Sequence, residues 1–568
     1  MKTMILMASI LCLSMSFAAC SDDNSPVITD KNLNETTTFF SSTEPNNYTT
    51  YYKPYVGYVG DPMPFFDPVS KEFRILYLQD DRDGNSTIYH PIHELATTDV
   101  ANYISFREAI PCGTAVEDDP AIGTGSTVYD EATKTYYTFY TGHKATEPRE
   151  VILLATSKDC KTWTKDRSFR LSAPIEAGYD KNEFRDPYVF YDATAQCYRM
   201  LVSALKNGDG YIIEFTSTNL HDWDLKPEPF FNNIWGRFYE CPDVFQMGSY
   251  WYMVYSSQGT KNEPAVVQYF YAQTLEELKG IAVENGQFPT FVPHEGWLDG
   301  VSFYAGKTAG DDTNRYLWGW CPTREGQKTT GTKSWAGALV AHRLIQNGDG
   351  TLSLDVPQAI SAKYSQSVTL AEKTKVGDVT VNTSSYTLKA NSFVRFARLR
   401  SRNKITMTAT IPEENEAVFG LSFVDCSDKA EKARIFIEDK YNFLKLKEVE
   451  VNEKTGEWND AGAITERAIT PAADNVYHIE VYTEESVCVV YINGRYAFTN
   501  RIYDLAKKVA KQNNNYTGEI KVLGKTNIGV APERYVPDIS KIIKELGVKE
   551  NYTLEAAIKR TIEYYKGL

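Results

Sequence analysis

"SKDCKTW", Ser157 to Trp163, has two near copies, "TTDVANY" from Thr97 to Tyr103 and "STNLHDW" from Ser217 to Trp223. Each starts on a hydroxyl, ends on an aromatic six positions later, and follows the previous copy by 60 residues. A weaker fourth copy, "AQTLEEL" from Ala272 to Leu278, comes at nearly the same step. Between them lie short alternating or aromatic-rich runs such as "FRILYL", "TYYTFYTG", "YIIEFTS" and "YWYMVYSS", bounded by Asp, Gly, Asn and Lys. These are strand signals. A repeat of several short strands predicts a β-propeller, because one blade cannot bury its two faces alone. Residues 49–357 hold about five such units. A tandem array of β-sandwiches is the competing arrangement.

At 568 residues the chain is too long for one ordinary core. With 24% charged and 42% hydrophobic residues it has the composition of a soluble globular protein. Aromatics make up 13% and include 38 Tyr, which favours strands and surfaces that stack on flat ligands such as sugars. A formal charge of -14 works against nucleic acid or an anionic surface as partner, so a neutral substrate fits better. Beyond Cys12 and Cys20 the cysteines are scattered singly, which gives neither a disulfide framework nor a metal site.

Residues 1–20, "MKTMILMASILCLSMSFAAC", combine a basic start, a short apolar run and small residues before a cysteine, the pattern of an export signal. "FAAC" resembles a lipoprotein cleavage box with Cys20 lipidated, and "SDDN" after it resembles the acidic surface-export signal of Bacteroidetes lipoproteins. The expected address is the outer membrane, facing outward; ordinary cleavage near Ala19 is the alternative. Residues 21–48 read as a flexible tether. After a linker near 358–365, residues 366–503 alternate as a second all-β domain, in which "INGR" predicts a hairpin turn. Residues 504–568 turn helical, and "RYVPDISKIIKELGVKENYTLEAAIKRTIEYYK" resembles the C-terminal end of NAD-dependent sugar-nucleotide epimerase/dehydratases. No Gly-x-Gly-x-x-Gly fingerprint accompanies it, so neither NAD nor epimerase activity is carried over and no cofactor is expected.

Three carboxylates recur in similar settings: Asp61 in "VGDPMPFFD", Asp186 in "EFRDPYVFYD" and Glu240 in "YECPDVFQ". Each precedes a proline within two positions and then an apolar strand, which puts all three at strand entrances. Inner strands of successive blades face one funnel, so these groups could converge though far apart in sequence. The histidines His90, His93, His143, His221 and His294 form no ligand set, and no Gly-x-Ser-x-Gly elbow supports a serine esterase. Tyr51, Tyr52, Trp235 and Trp297 could line sugar subsites or simply pack the blades.

"GDPMPFF", "FRDPYVF" and "YECPDVF", in that order, resemble the three acidic motifs of glycoside hydrolase family 32, the invertases, inulinases and levanases. The resemblance covers about residues 50–503. It implies an all-β chain, a five-bladed β-propeller followed by a β-sandwich, here with a short α-helical C-terminal tail. It further implies retaining cleavage of β-fructosides in levan, inulin or sucrose-type oligosaccharides. Carried over residue by residue, Asp61 resembles the nucleophile, Glu240 the general acid/base and Asp186 the transition-state stabiliser. The implied substrate-binding set is Gln79, Gly125, Ser126, Arg185, Cys241, Asp299 and Trp320. Such chemistry needs one ionised carboxylate and one protonated one, about 5 to 5.5 Å apart for retention. Aromatic burial among Phe238, Tyr239 and Phe245 is expected to keep Glu240 protonated, and Arg185 to keep Asp186 ionised. Gly60 and Met63 stand where the family's first motif carries asparagines, and a tryptophan common after the Gln79 motif is missing, with Tyr89, His90 or His93 as replacements. Two other functions fit parts of this pattern: an inverting arabinosidase or xylosidase on a similar propeller, and a non-catalytic glycan-binding lipoprotein.

Overall fold

The computed structural model describes residues 48–503, except 82–89, 233–237, 260–263, 280–295 and ten short stretches between 368 and 464. The export signal, Cys20, most of the tether and the helical tail lie outside the described residues, as do Tyr89, Trp235 and His294.

Five sheets of antiparallel strands follow one another along the chain. Their inner strands are Tyr58–Asp67, Ala121–Asp130, Phe184–Asp192, Tyr239–Met247 and Tyr304–Gly310. These strands neighbour one another in ring order, with the fifth beside the first, so the sheets are blades 1 to 5 of a closed propeller. Closure also runs through backbone pairing, since Val59 of blade 1 pairs with Gly337 of blade 5. Period-two alternation explains the blade cores: Ile75, Tyr77, Leu95, Trp318 and Leu339 are buried together between blades 1 and 5.

The sequence repeat is the turn from the third strand of a blade to the fourth. In blade 2 the Asp159 carboxylate accepts from the Lys161 and Thr162 N–H groups at 2.9 and 2.8 Å, and Cys160 adopts φ 56° with its side chain fully buried. Blades 1 and 3 repeat this turn, with Asp99 or Asn219 as acceptor and Val100 or Leu220 at positive φ. The hydroxyl at the start caps the turn, as Thr97 and Ser217 do for the N–H groups of Val100 and Leu220, both at 2.9 Å. The hydroxyl and Asx side chains thus supply the backbone acceptors that a sharp turn lacks. In the fourth copy Thr274 and Glu277 instead bond each other's backbone N–H, a capping box that starts the short helix Leu275–Lys279.

The last blade ends at Asp355, and the short helix Gln358–Ala362 buries Ile360 beneath the second domain. That domain packs one four-stranded sheet (Asn403–Thr410, Val476–Glu484, Val487–Ile492, Tyr496–Arg501) on another (Val418–Val424, Glu431–Glu438, Phe443–Lys447, Thr465–Ala468) around Ile437, Val481, Val490 and Phe498. The "INGR" turn places Asn493 and Gly494 at φ 54° and 56°, the left-handed pair that a tight hairpin needs. Val487, Val489 and Tyr491 face the propeller and share a core with Val254, Leu317 and Val340. Removing both Asp159 acceptors should destabilise blade 2: Asp159→Ala is expected to cost about 1–2 kcal/mol in chemical denaturation.

Candidate active site

Every inner strand of the propeller breaks register once. The breaks fall between Gly60 and Met63, Gly123 and Gly125, Glu240 and Asp243, Tyr304 and Lys307, and in blade 3 at Asp186 and Pro187, opposite Leu201 and Ser203. At four of them a residue takes positive φ: Asp61 26°, Asp186 62°, Cys241 54° and Ala305 52°. Pro62, Pro187 and Pro242 follow three of these; a proline cannot donate to the ladder, so it belongs at a bulge. The breaks align Asp61, Thr124, Asp186, Cys241 and Ala305 as equivalent, with Gly60, Gly123, Arg185, Glu240 and Tyr304 one step earlier. Glu240 therefore sits one position ahead of the other two acids, which is why Cys241 separates it from its proline.

The structure brings the three acids together. Asp61 accepts hydrogen bonds from Trp320 Nε1 and Thr124 Oγ1, both at 2.9 Å. Glu240 accepts from Gln258 Nε2 and the Tyr304 hydroxyl, both at 2.8 Å, and from Arg185 Nε at 3.2 Å. Asp186 accepts from the Cys241 N–H at 2.8 Å and is only 3% exposed. Burial, and then the charge of Glu240, hold its carboxyl well above the usual aspartate range, against the pull of Arg185. Burial likewise raises Asp61, while the Trp320 and Thr124 hydrogen bonds favour its ionised form.

Two expectations change. Arg185 does not pair with Asp186: its guanidinium lies over the Phe238 ring at 4.0 Å and bridges Glu240, Glu150 at 3.0 Å and Glu183 at 2.6 Å. Its side chain leaves the strand one position before the bulge, on the same side as Glu240. The aromatic enclosure of Glu240 is also absent, because Tyr239 packs on Tyr255 and Phe245 stacks on Tyr252 in the blade interior. Donors surround Glu240 instead.

The substrate-binding set divides. Trp320 and Arg185 touch the acids, and Cys241 serves Asp186 through its backbone. Ser126 bonds the Pro187 carbonyl and the Val189 N–H at 2.9 Å, so it fixes the strand that carries Asp186. Gly125 is a packing requirement, since a Cβ there would lie 1.9 Å from the Phe139 carbonyl oxygen. Gln79 bonds the Val56 carbonyl and the Tyr77 hydroxyl, with no bond to the three acids. Asp299 leaves the site altogether: it is fully buried against the second domain, accepting from Thr499 and His342. Of the four aromatics Trp235 lies outside the described residues; Tyr51 and Trp297 are buried, and Tyr52 packs on Tyr77 and Tyr103.

Sequence reasoning missed Thr124, Gln258, Tyr304 and Trp335. Trp335 stacks on His90 at 4.2 Å, packs near Trp320, and occupies the space a side chain at residue 60 would need, its Cη2 lying 2.1 Å from where a Gly60 Cβ would be. Gly60 was the available signal, because a glycine in place of a side chain implies that something else fills the gap. His93 is partly buried beside Tyr77, where desolvation lowers its pKa to about 4, so His90 and His93 have separate partners.

Fold and site together define the class, a five-bladed propeller with an acidic funnel joined to a β-sandwich. The chain belongs to glycoside hydrolase family 32: the profile "Glycosyl hydrolases family 32 N-terminal domain" matches residues 52–355, and "GH32, BT1760-like, C-terminal domain" matches 350–525. The second match runs past the point where the sequence pattern turns helical. The chain is 24% identical over 330 residues to the insoluble isoenzyme 4 of β-fructofuranosidase from Oryza sativa subsp. japonica, covering 54% of each chain. It is 23% identical over 339 residues to fructan 1-exohydrolase w1 of Triticum aestivum, covering 56% of this chain and 55% of that one. The chain thus spans about half the length of the curated relatives it matches. Among solved structures, fructan 1-exohydrolase IIa from Cichorium intybus shares the fold with a TM-score of 0.61 at 19% identity, over 81% of this chain and 92% of that one.

Replacing the buried acid tests the electrostatics. A carboxyl raised on folding stabilises the fold below its unfolded value of about 4 and loses that contribution as pH rises through its folded value. Asp186→Asn is therefore expected to be more stable than wild type at pH 8, by on the order of 1–2 kcal/mol, with the difference vanishing below about pH 4 in thermal melts.

Proposed function

We propose that this protein is a retaining β-fructosidase acting on fructans or sucrose-type oligosaccharides. The observation that carries the reading is the convergence of Asp61, Asp186 and Glu240 from three blades, each acid held by different donors. Asp61, fixed from both sides by Trp320 and Thr124, attacks the anomeric carbon of the fructosyl unit. Glu240 protonates the departing oxygen, and after the leaving group has gone it takes a proton from the water that hydrolyses the fructosyl-enzyme. Tyr304, Gln258 and Arg185 orient Glu240 through both steps. Asp186 accepts hydrogen bonds from fructose hydroxyls, and substrate hydroxyls are the donors that offset the burial of its charge. Trp335 and His90 form the wall beside the nucleophile where the family's asparagine would stand. No role for NAD is carried over from the epimerase-like tail.

The test is release of fructose and short oligosaccharides from levan, inulin and sucrose. Asp61→Asn and Glu240→Gln are each expected to cut turnover by about 10²–10⁴ or more, with the fold unchanged by circular dichroism. A folded wild type that binds fructan without turnover would favour the glycan-binding reading, and one that leaves fructans intact yet releases arabinose or xylose from pentosides with inversion would favour the arabinosidase or xylosidase reading.

We also propose that the protein is exported and anchored through a lipid on Cys20, on the outer membrane facing outward. The support is the basic start, the apolar run, the "FAAC" box and the "SDDN" that follows. Cys20→Ala is expected to abolish incorporation of labelled fatty acid and move the protein out of the membrane fraction.

A further inference from the structure

Two aromatic side chains of blade 5 hold the two carboxylates assigned to the reaction. Tyr304 donates to Glu240 and Trp320 to Asp61. They are direct partners in the ladder between Tyr304–Gly310 and Arg315–Arg324, and their rings lie 5.8 Å apart. Beyond the ladders of blade 5 itself, one strand of the β-sandwich, Tyr496–Arg501, hydrogen-bonds beside both of these segments.

Thr499 donates its N–H at 2.8 Å and its hydroxyl at 2.6 Å to the two oxygens of Asp299, five residues before Tyr304. His342 Nε2 lies 2.9 Å from the same carboxylate, and the other ring nitrogen of His342 lies 2.8 Å from the hydroxyl of the sandwich residue Tyr491. Two positions along the strand, and hence on its same face, Arg501 donates to the carbonyls of Cys321 at 3.1 Å and Pro322 at 2.7 Å, the two residues after Trp320. Gly337 lies against this contact: a Cβ there would stand 1.7 Å from the Cys321 oxygen and 3.2 Å from an Arg501 nitrogen. Gly337 also pairs with Val59, two residues before Asp61. Asp299, His342, Thr499 and Arg501 all have 0% exposure.

A buried set of charges and hydroxyls is a poor source of stability compared with apolar packing, because desolvation offsets much of the gain. What it supplies is direction, since each bond fixes an angle that apolar contact leaves free. We propose that the strand Tyr496–Arg501 is a positioning element of the active site with two arms. The Thr499–Asp299 arm sets Tyr304 and through it the acid Glu240. The Arg501 arm sets Trp320 and through it the nucleophile Asp61. The inference rests on the β-fructosidase reading above.

The two arms are separable by leaving group. With sucrose the departing oxygen needs a proton from Glu240. With β-fructofuranosyl fluoride the C–F bond breaks and fluoride leaves unprotonated as the Asp61 carboxylate forms the new C–O bond, so forming the fructosyl-enzyme needs no acid, and kcat/KM, which reports that step, is insensitive to Glu240. Thr499→Val is expected to lower kcat/KM on sucrose about tenfold, to shift the basic limb of its kcat/KM–pH profile, and to leave kcat/KM on the fluoride nearly unchanged. Arg501→Met is expected to lower kcat on both substrates about tenfold, with partial rescue in Arg501→Lys. Should Arg501→Met fold poorly, the double variant Thr499→Val with Tyr304→Phe decides, because residues acting through one another give non-additive losses on sucrose. Unchanged substrate ratios and pH profiles in folded variants, or strictly additive losses, would overturn the proposal even if the melting temperature falls. A wild type inactive on both fructosides would instead remove the enzymatic reading, and this inference with it.

Discussion

The bulge that interrupts every inner strand is the constraint from which the active site follows. A regular strand sends alternate side chains to opposite faces, so it cannot aim neighbouring residues at one point. One extra residue at the same register in each blade bends the strand and re-aims its side chains. Asp61, Asp186 and Cys241 take positive φ there, a conformation that costs a non-glycine residue free energy and survives because the proline beyond it and the ladder on both sides leave the chain no alternative. Five bulges around one ring align ten positions, eight of which carry side chains because two are Gly60 and Gly123, and the chemistry is a choice of which of the eight are acids.

Bringing three carboxylates together is electrostatically unfavourable, and the surrounding groups distribute that cost unevenly. Arg185 bridges Glu240, Glu150 and Glu183, held over the face of the Phe238 ring rather than committed to one partner. Asp186, the most buried acid of the three, accepts from the Cys241 backbone N–H and from no side chain among the described residues.

An aromatic series surrounds this polar centre. His90 stacks on Trp335, Trp335 packs toward Trp320, and Trp320 meets Tyr304, so two of the four rings end on a reacting carboxylate and the other two brace them. Gly60 belongs to the same arrangement, for only a residue without a side chain admits the Trp335 ring.

Much of this was legible in the chain. The period-two alternation marked the strands. The Ser-x-Asp-Cys turn and its copies marked the blades, because an Asx side chain that caps its own backbone acts within four residues. The acid before proline marked the strand entrances for the same local reason, and the structure adds a bulge at each. What stayed hidden were contacts whose partners lie far apart: Trp320 meets Asp61 across 259 positions, and Arg501 meets Cys321 across 180. Asp299 looked like a sugar ligand from its motif and is an interdomain anchor, and Arg185 looked like the partner of the residue beside it and serves Glu240 from another blade. Sequence alone determined which segments become strands, where they turn and which acids stand at strand entrances, since those depend on neighbours along the chain. Only the closed ring and the sandwich against it decided which donor each acid meets, because a hydrogen bond is set by distances of about 3 Å in space and no local pattern encodes them.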